Sequence, residues 1–196
     1  MDSKLTRDDQ HIYRYEGKII PGVTEILSIL GDYSFVKDEA RQFGTVVHDT
    51  LHLYDIDDLG SYNPYMEPYI KAWEDFKRDH RVRIIHSNLK MYSRIHRFAG
   101  EADKVAMVGD SWAVIDIKTG KPASYVGLQL AAYTELTGVK FGIPYRQIKR
   151  VSVYLDGAGY RRGFYTKRED KQEFLTLLYA HNIVNKYKGN TLTITT

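Results

Sequence analysis

The chain has 196 residues, 43% hydrophobic and 27% charged, with a formal net charge of +3, the composition of a soluble globular domain long enough to bury a core without staples. It contains no cysteine, which excludes disulfides, iron–sulfur clusters, thiolate zinc sites and cysteine nucleophiles together. No apolar run approaches the ~18 residues a membrane helix needs, and the polar opening MDSKLTRDDQ predicts no secretory leader, so the expectation is one cytoplasmic domain spanning residues 1–196.

In chain order, His11 to Ile20 reads as a hairpin with Glu16-Gly17 at its turn. Pro21-Gly22 ends it, and Thr24 is expected to cap a short helix running to Leu30. Ser34 is the next cap candidate, and Val36, Ala40, Phe43, Val47, Leu51 and Tyr54 recur at helical spacing, predicting an amphipathic helix. The acidic run Asp55-Ile-Asp-Asp58 opens a loop to Pro64, after which Met66, Tyr69, Ile70, Trp73 and Phe76 mark a second helix ending near His80. Strands are expected over 82–88, 89–93, 98–108 and 111–119. A helix over 124–136 should stop at Thr137-Gly138, and 148–156 and 160–166 should form a hairpin about Gly157-Ala-Gly159. A last helix covers about 169–187, followed by a frayed tail from Gly189 to Thr196. Helices, a run of strands and a closing helix describe an α+β domain with a central mixed β-sheet flanked by helices.

Charge is unevenly spread. Lys77 to Arg97 carries seven Lys/Arg against Asp79 alone, and Lys140 to Lys171 carries nine against three acids. Tyr92, Tyr145, Tyr154, Tyr160 and Tyr165 lie in or beside these stretches. Basic residues interleaved with aromatics can track phosphates and stack on bases; a solvated charged face with half-buried tyrosines gives the same pattern.

Gly109-Asp110 between two apolar strands suits a two-residue type II′ turn, which pairs residues whose numbers add to 219. Asp103 then faces Asp116, and Glu101 faces Lys118. Period two sends Asp116 and Lys118 to one face, Ile115 and Ile117 to the other. Like charges directly opposed across strands are destabilising. Two aspartates so placed need a positive group between them, and a divalent cation with oxygen ligands answers that need, with Lys118 beside it. The bland alternative is a solvent-facing sheet with ordinary ion pairs, Glu101 with Lys118 and Asp103 with Lys104.

Taken in order, Gly44-x-x-x-His48, Ala99-Gly100-Glu-Ala-Asp103, Ile115-Asp116-Ile-Lys118-Thr-Gly120 and Gln129-x-x-x-Tyr133 make the chain resemble the RecB-type exonuclease branch of the PD-(D/E)xK nuclease superfamily. Pro21-Gly22-Val-Thr-Glu-Ile-Leu27 is similar to the opening of its phage and mitochondrial members. The resemblance covers about residues 13–137. It implies a restriction-endonuclease-like αβα core and Mg²⁺- or Mn²⁺-dependent hydrolysis of DNA, as an exonuclease on single strands or duplex ends. The implied role is recombination, repair or replication, with a partner protein from those processes, in a host cytoplasm if the gene is a phage's. The resemblance further implies that His48, Asp103 and Asp116 ligate the metal together with the backbone carbonyl of Ile117. Lys118 is the implied catalytic lysine, and Gln129, Tyr133 and Lys121 the implied DNA-contacting or supporting residues. Two departures stand out: Asn88 occupies the place where many members carry a Glu, and the missing cysteines leave no iron–sulfur cluster.

Two rival readings remain open. His48 and His52 sit one helical turn apart as in zinc peptidases, but Asp49 replaces the Glu that acts as base there. Alternatively, the chain is a catalytically idle DNA-binding protein on a nuclease fold. Gly157-x-Gly159-x-x-x-Gly163 lacks the following helix that a dinucleotide site requires.

Overall fold

The computed structural model describes residues 4–31 and 38–188. Its first element is a small antiparallel sheet of β1 (Leu5–Arg7), β2 (Tyr13–Tyr15) and β3 (Lys18–Ile20). The β2–β3 turn is the expected one: Glu16 and Gly17 both take positive φ, 50° and 78°, as a type I′ turn demands. β1 carried no sequence signal, being only three residues long. Pro21 and Gly22 then tie this sheet to the main one, since the Ala99 N–H donates to the Pro21 carbonyl at 2.9 Å.

Helix α1 (Val23–Leu27) starts two residues earlier than expected. Gly22, not Thr24, is its N-cap, and the side chain of Glu25 accepts the Gly22 N–H. A 3₁₀ turn, Ser28–Leu30, completes the segment. Helix α2 (Asp38–Asp55) buries only the second half of its apolar stripe, at Val47, Thr50 and Leu51; Ala40 and Phe43 stay exposed because they form a wall of the cleft described below. The Ser34 and Val36 expectations and the frayed tail over 189–196 lie outside the described residues. Helix α3 (Glu67–Asp79) follows a 3₁₀ turn at Pro64–Met66 and buries Ile70, Trp73 and Phe76 as its spacing requires.

The main sheet has the order β4 (Val82–Ser93), β5 (Phe98–Val108), β6 (Ser111–Lys118), β7 (Lys149–Asp156) and β8 (Gly159–Phe164). Only β6 and β7 run parallel, because helix α4 (Val126–Phe141) makes the crossover between them. The sheet is thus mixed and flanked by helices, the expected α+β architecture. One face packs on α1, α4 and helix α5 (Asp170–Tyr187) through residues such as Leu89, Val114, Leu130 and Phe174. The other packs on α2 and α3 through Ile115, Ile117, Val151, Trp73 and Phe76.

Two sequence expectations are corrected here. The segments 82–88 and 89–93 are one strand, irregular between Ile84 and His86 and carrying Asn88 at φ 51°. Helix α4 does not stop at Thr137-Gly138 but runs to Phe141, with Gly142 in the left-handed region at its end. Gly138 serves packing instead. A Cβ there would lie 2.8 Å from the Ile143 carbonyl, where the chain folds back on the helix.

Among the described residues no helix is long and apolar enough to cross a membrane. Gly138→Ala tests the packing argument by its sign. Helix propensity alone predicts a gain of about 1 kcal/mol, whereas the clash with backbone predicts a loss of about 1–3 kcal/mol, and urea unfolding should read the loss.

Candidate active site

The β5–β6 hairpin positions the central carboxylates. Gly109 takes φ 60° while Asp110 stays out of the positive region, so Gly109 occupies the first position of a type II′ turn. Pairing runs from Val108↔Ser111 to Lys104↔Ile115, in the predicted register. Beyond that rung the ladder changes. The Ile117 N–H donates to Asp103 Oδ2 at 2.7 Å, a side-chain acceptor in place of a strand carbonyl. Meanwhile β6 keeps its parallel partners on β7, Asp116↔Ser152 and Lys118↔Tyr154. Neither the expected Asp103–Asp116 rung nor the expected Glu101–Lys118 rung forms; Glu101 accepts a 2.7 Å hydrogen bond from Arg7 of β1.

Helix α2 brings in His48. A Cβ on Gly44 would sit 3.2 Å from Thr119 Oγ1, so the glycine lets the helix approach the end of β6. One turn later His48 Nδ1 lies 3.4 Å from Asp103 Oδ2. Lys118 Nζ lies 2.9 Å from Asp116 Oδ2 and donates to Gln129 Oε1 at 3.0 Å, and Gln129 Nε2 donates to the Tyr133 hydroxyl at 3.3 Å. Gln129 and Tyr133 reach the same point because they are four apart on α4. Gly100 leaves the room: a Cβ there would meet the Tyr133 ring and Val23 at 2.8 Å. His48, Asp103, Asp116, Lys118, Gln129 and Tyr133, spread over 86 positions of sequence, therefore converge. Ile117 takes part through its N–H, with its side chain buried toward α3. Lys121 is exposed on the wall of the same cleft.

Environment drives the two aspartates apart. Burial pushes Asp116 up to about 6, helped by the charge of Asp103 and only partly offset by Lys118. Its Oδ2 is buried and accepts no aligned hydrogen bond, the Lys118 ammonium being near but off line. Burial also works against Asp103, but His48, Lys118 and the Ile117 N–H outweigh it and hold that carboxyl below the usual range. Burial lowers His48, yet Asp103 prevails and raises it. Lys118 is likewise raised, its burial overridden by the two carboxylates.

The cleft over these groups encloses about 930 Å³. Its far wall holds residues that sequence reasoning did not single out, Arg7 and His11 of the small sheet, which contact each other. Their signal is absent from any local pattern, since a three-stranded sheet of short strands brings them there. Conversely, no basic residue of the two Lys/Arg-rich stretches lines the cleft among the described residues. The strands of those stretches, β4 and β7–β8, reach opposite edges of the sheet, and the two stretches meet where His80 and Asp79 at the end of α3 contact Arg162 and Tyr160 of β8. His52 Nδ1 is hydrogen-bonded to Ser87 at 2.8 Å while His48 Nδ1 lies against Asp103, so each histidine has its own partner.

No family model matches the chain, and no curated protein matches it. Among solved structures, it resembles a chain from Eubacterium rectale described as a "putative exonuclease", with a TM-score of 0.51 and 9% identity over 83% of this chain and 72% of that one. The two share a fold. An alkaline exonuclease from Laribacter hongkongensis aligns at a TM-score of 0.41 and 15% identity, over 87% of this chain and 93% of that one.

Among the described residues no three His, Asp or Glu side chains are gathered tightly enough to hold a metal ion as they stand. The donor set still fits a hard divalent cation in kind: two carboxylates and an imidazole, with one buried carboxylate oxygen, Asp116 Oδ2, held only by its ion pair with Lys118 and by no aligned hydrogen bond. The same oxygen yields a stability prediction. Asp116 titrates above its ordinary value, so its neutral form favours the fold, and that stability is full near pH 4 and lost as pH rises through about 6. Asp116→Asn should therefore be more stable than wild type by about 1–3 kcal/mol at pH 8 and nearly equal at pH 4, read by urea unfolding in chelator.

Proposed function

We propose that this protein is a divalent-metal-dependent nuclease that hydrolyses DNA phosphodiesters, acting as an exonuclease of the RecB type. The observation that carries the reading is the grouping of His48, Asp103 and Lys118 on one cleft, with Asp116 buried directly behind Lys118 and ion-paired to it at 2.9 Å. A binding protein has no use for two carboxylates held together against their mutual repulsion. The fold shared with the Eubacterium rectale structure supports the same class.

Asp103, Asp116 and His48, with the Ile117 carbonyl, would hold Mg²⁺ or Mn²⁺, which when bound supplies Lewis-acid polarisation of the phosphate and acidifies a water molecule. The chain's own residues do the rest. Lys118, kept protonated by the two carboxylates, offers a positive hydrogen-bond donor to a phosphate oxygen or to the attacking water. Gln129 fixes the Lys118 ammonium from the other side, and Tyr133 fixes Gln129. The Ile117 N–H holds one oxygen of Asp103, Oδ2, and so fixes the carboxylate beside His48. Arg7 and Lys121, on the cleft walls, meet the flanking phosphates of a DNA strand.

End-labelled linear DNA and closed circular DNA, incubated with Mg²⁺ or Mn²⁺, provide the test. Linear DNA should be degraded and circles spared. Asp116→Ala and Lys118→Ala, checked to be folded, should each lose at least about a hundredfold in rate. Undiminished digestion by both variants would refute the assignment, efficient cutting of circles would make the enzyme an endonuclease, and DNA retention without digestion in either metal would leave binding alone.

A further inference from the structure

Lys104 follows Asp103 directly and is 1% exposed. Its ammonium lies 2.8 Å from Asp55 Oδ2 and donates to the Leu51 carbonyl at 3.1 Å and to Ser87 Oγ at 2.7 Å. Leu51 and Asp55 stand one and two turns beyond His48 on α2. Asp55 also accepts from Lys77 at 2.7 Å and from Trp73 Nε1 at 3.0 Å. Burying such a cluster is costly, and as a packing device a hydrophobic pair serves as well or better. What the ammonium achieves that an apolar side chain would not is geometric.

In a regular strand, residues two apart share a face. Along β5, Ala102 and Val105 both pack toward α4, whereas Lys104 reaches α2 and Ala106 packs on that same side. The alternation slips by one residue at Asp103. The partner strand slips at the same level: Leu89 packs toward α4, Ser87 meets Lys104 and His52, and Asn88 between them takes φ 51°. Asp103 sits at the slip, where its carboxylate accepts the Ile117 N–H and meets His48.

We infer that Lys104 is a positioning residue: its ammonium, anchored on the Leu51 carbonyl and Asp55 of α2, turns β5 over so that Asp103 is aimed at the Ile117 N–H and at His48. One anchor thereby sets both the direction of the carboxylate and its distance from the helix that carries the imidazole. The catalytic consequence rests on the nuclease reading, but the geometric one does not.

Amide hydrogen exchange in chelator, read residue by residue by NMR, tests the geometric part. In Lys104→Met the Ile117 amide should exchange at least about tenfold faster relative to the Ile115 and Val153 amides, because its acceptor is no longer aimed. With metal and DNA, kcat should fall about a hundredfold while KM stays within about twofold. Lys77→Met is the control. It removes another partner of the same Asp55 without touching β5, so it should lower global stability but leave the Ile117 ratio and kcat near wild type. A purely structural network predicts that the two variants behave alike, with Ile117 exchange rising only in step with its neighbours, and either result overturns the inference. Should Lys104→Met not fold, Ser87→Ala removes one of the three ammonium partners and must still accelerate Ile117 selectively, by about threefold; no selective change overturns the inference too. Failure of the nuclease reading looks different: wild type cleaves nothing, while the exchange pattern stands.

Discussion

A carboxylate oxygen stands where the ladder between β5 and β6 would otherwise continue with backbone. Asp103 Oδ2 accepts the Ile117 N–H, so the strands remain tied while their side chains are released from regular pairing. Everything in the candidate site is arranged around that substitution. It brings Asp103 within reach of His48, and against burial His48 first, then Lys118 and the Ile117 N–H, hold that carboxyl low, while Asp116 is left as the partner that burial drives toward neutrality. Two carboxylates with opposed tendencies, next to an ammonium, form an electrostatically loaded spot within the sheet. Such loading is what a site for a cation and an anionic substrate requires.

The layers around the sheet are joined by buried or half-buried ion pairs at their corners. Arg150 of β7 meets Asp170 at the start of α5 at 2.6 Å and also donates to the Gly127 and Lys167 carbonyls. A Cβ on Gly127 would lie 3.0 Å from Asp170 Oδ2, tight enough that this carboxylate would have to shift. Glu135 of α4 meets Lys171 of α5 at 2.6 Å, and His181 meets Glu25 at 3.0 Å, linking α5 to α1. Each pair fixes where a helix begins or how it leans, a specificity that apolar packing alone supplies less sharply. On the opposite face the Lys104–Asp55 cluster plays the corresponding part for α2 and α3. The helices that carry Gln129, Tyr133 and His48 are therefore located by polar contacts as much as by their cores.

Much of this was legible along the chain because its physical basis is local. Period two and a Gly-X turn are enough to pair 104–108 with 111–115 in the right register, which brings Asp103, Asp116 and Lys118 to the same end of the hairpin although their own rungs do not form. Spacing of four places Gln129 and Tyr133 together. Glu16-Gly17 and Gly157-Ala-Gly159 mark their hairpins by turn chemistry. The failures have physical causes of the opposite kind. Helix α4 runs past Thr137-Gly138 because the glycine answers to the returning Ile143 carbonyl, not to helix termination. The strand over 82–93 is continuous because Asn88 tolerates a left-handed backbone within a paired segment. Asp55 looked like part of an acidic loop, yet its side chain is buried between two lysines and a tryptophan.

The sequence by itself determined the mixed sheet with its helices, the hairpin about Gly109-Asp110 and its register as far as Lys104↔Ile115, and the absence of cysteine chemistry, because periodicity, turn geometry and composition act between near neighbours. Only the tertiary structure decided that Glu101 belongs to Arg7, that the strands of the basic stretches reach opposite sheet edges, that His52 serves Ser87, and that Lys104 lies beneath α2. Those outcomes depend on which distant segments pack together, and a side chain's partner across 50 or 90 residues of chain is set by that packing, not by its neighbours in sequence.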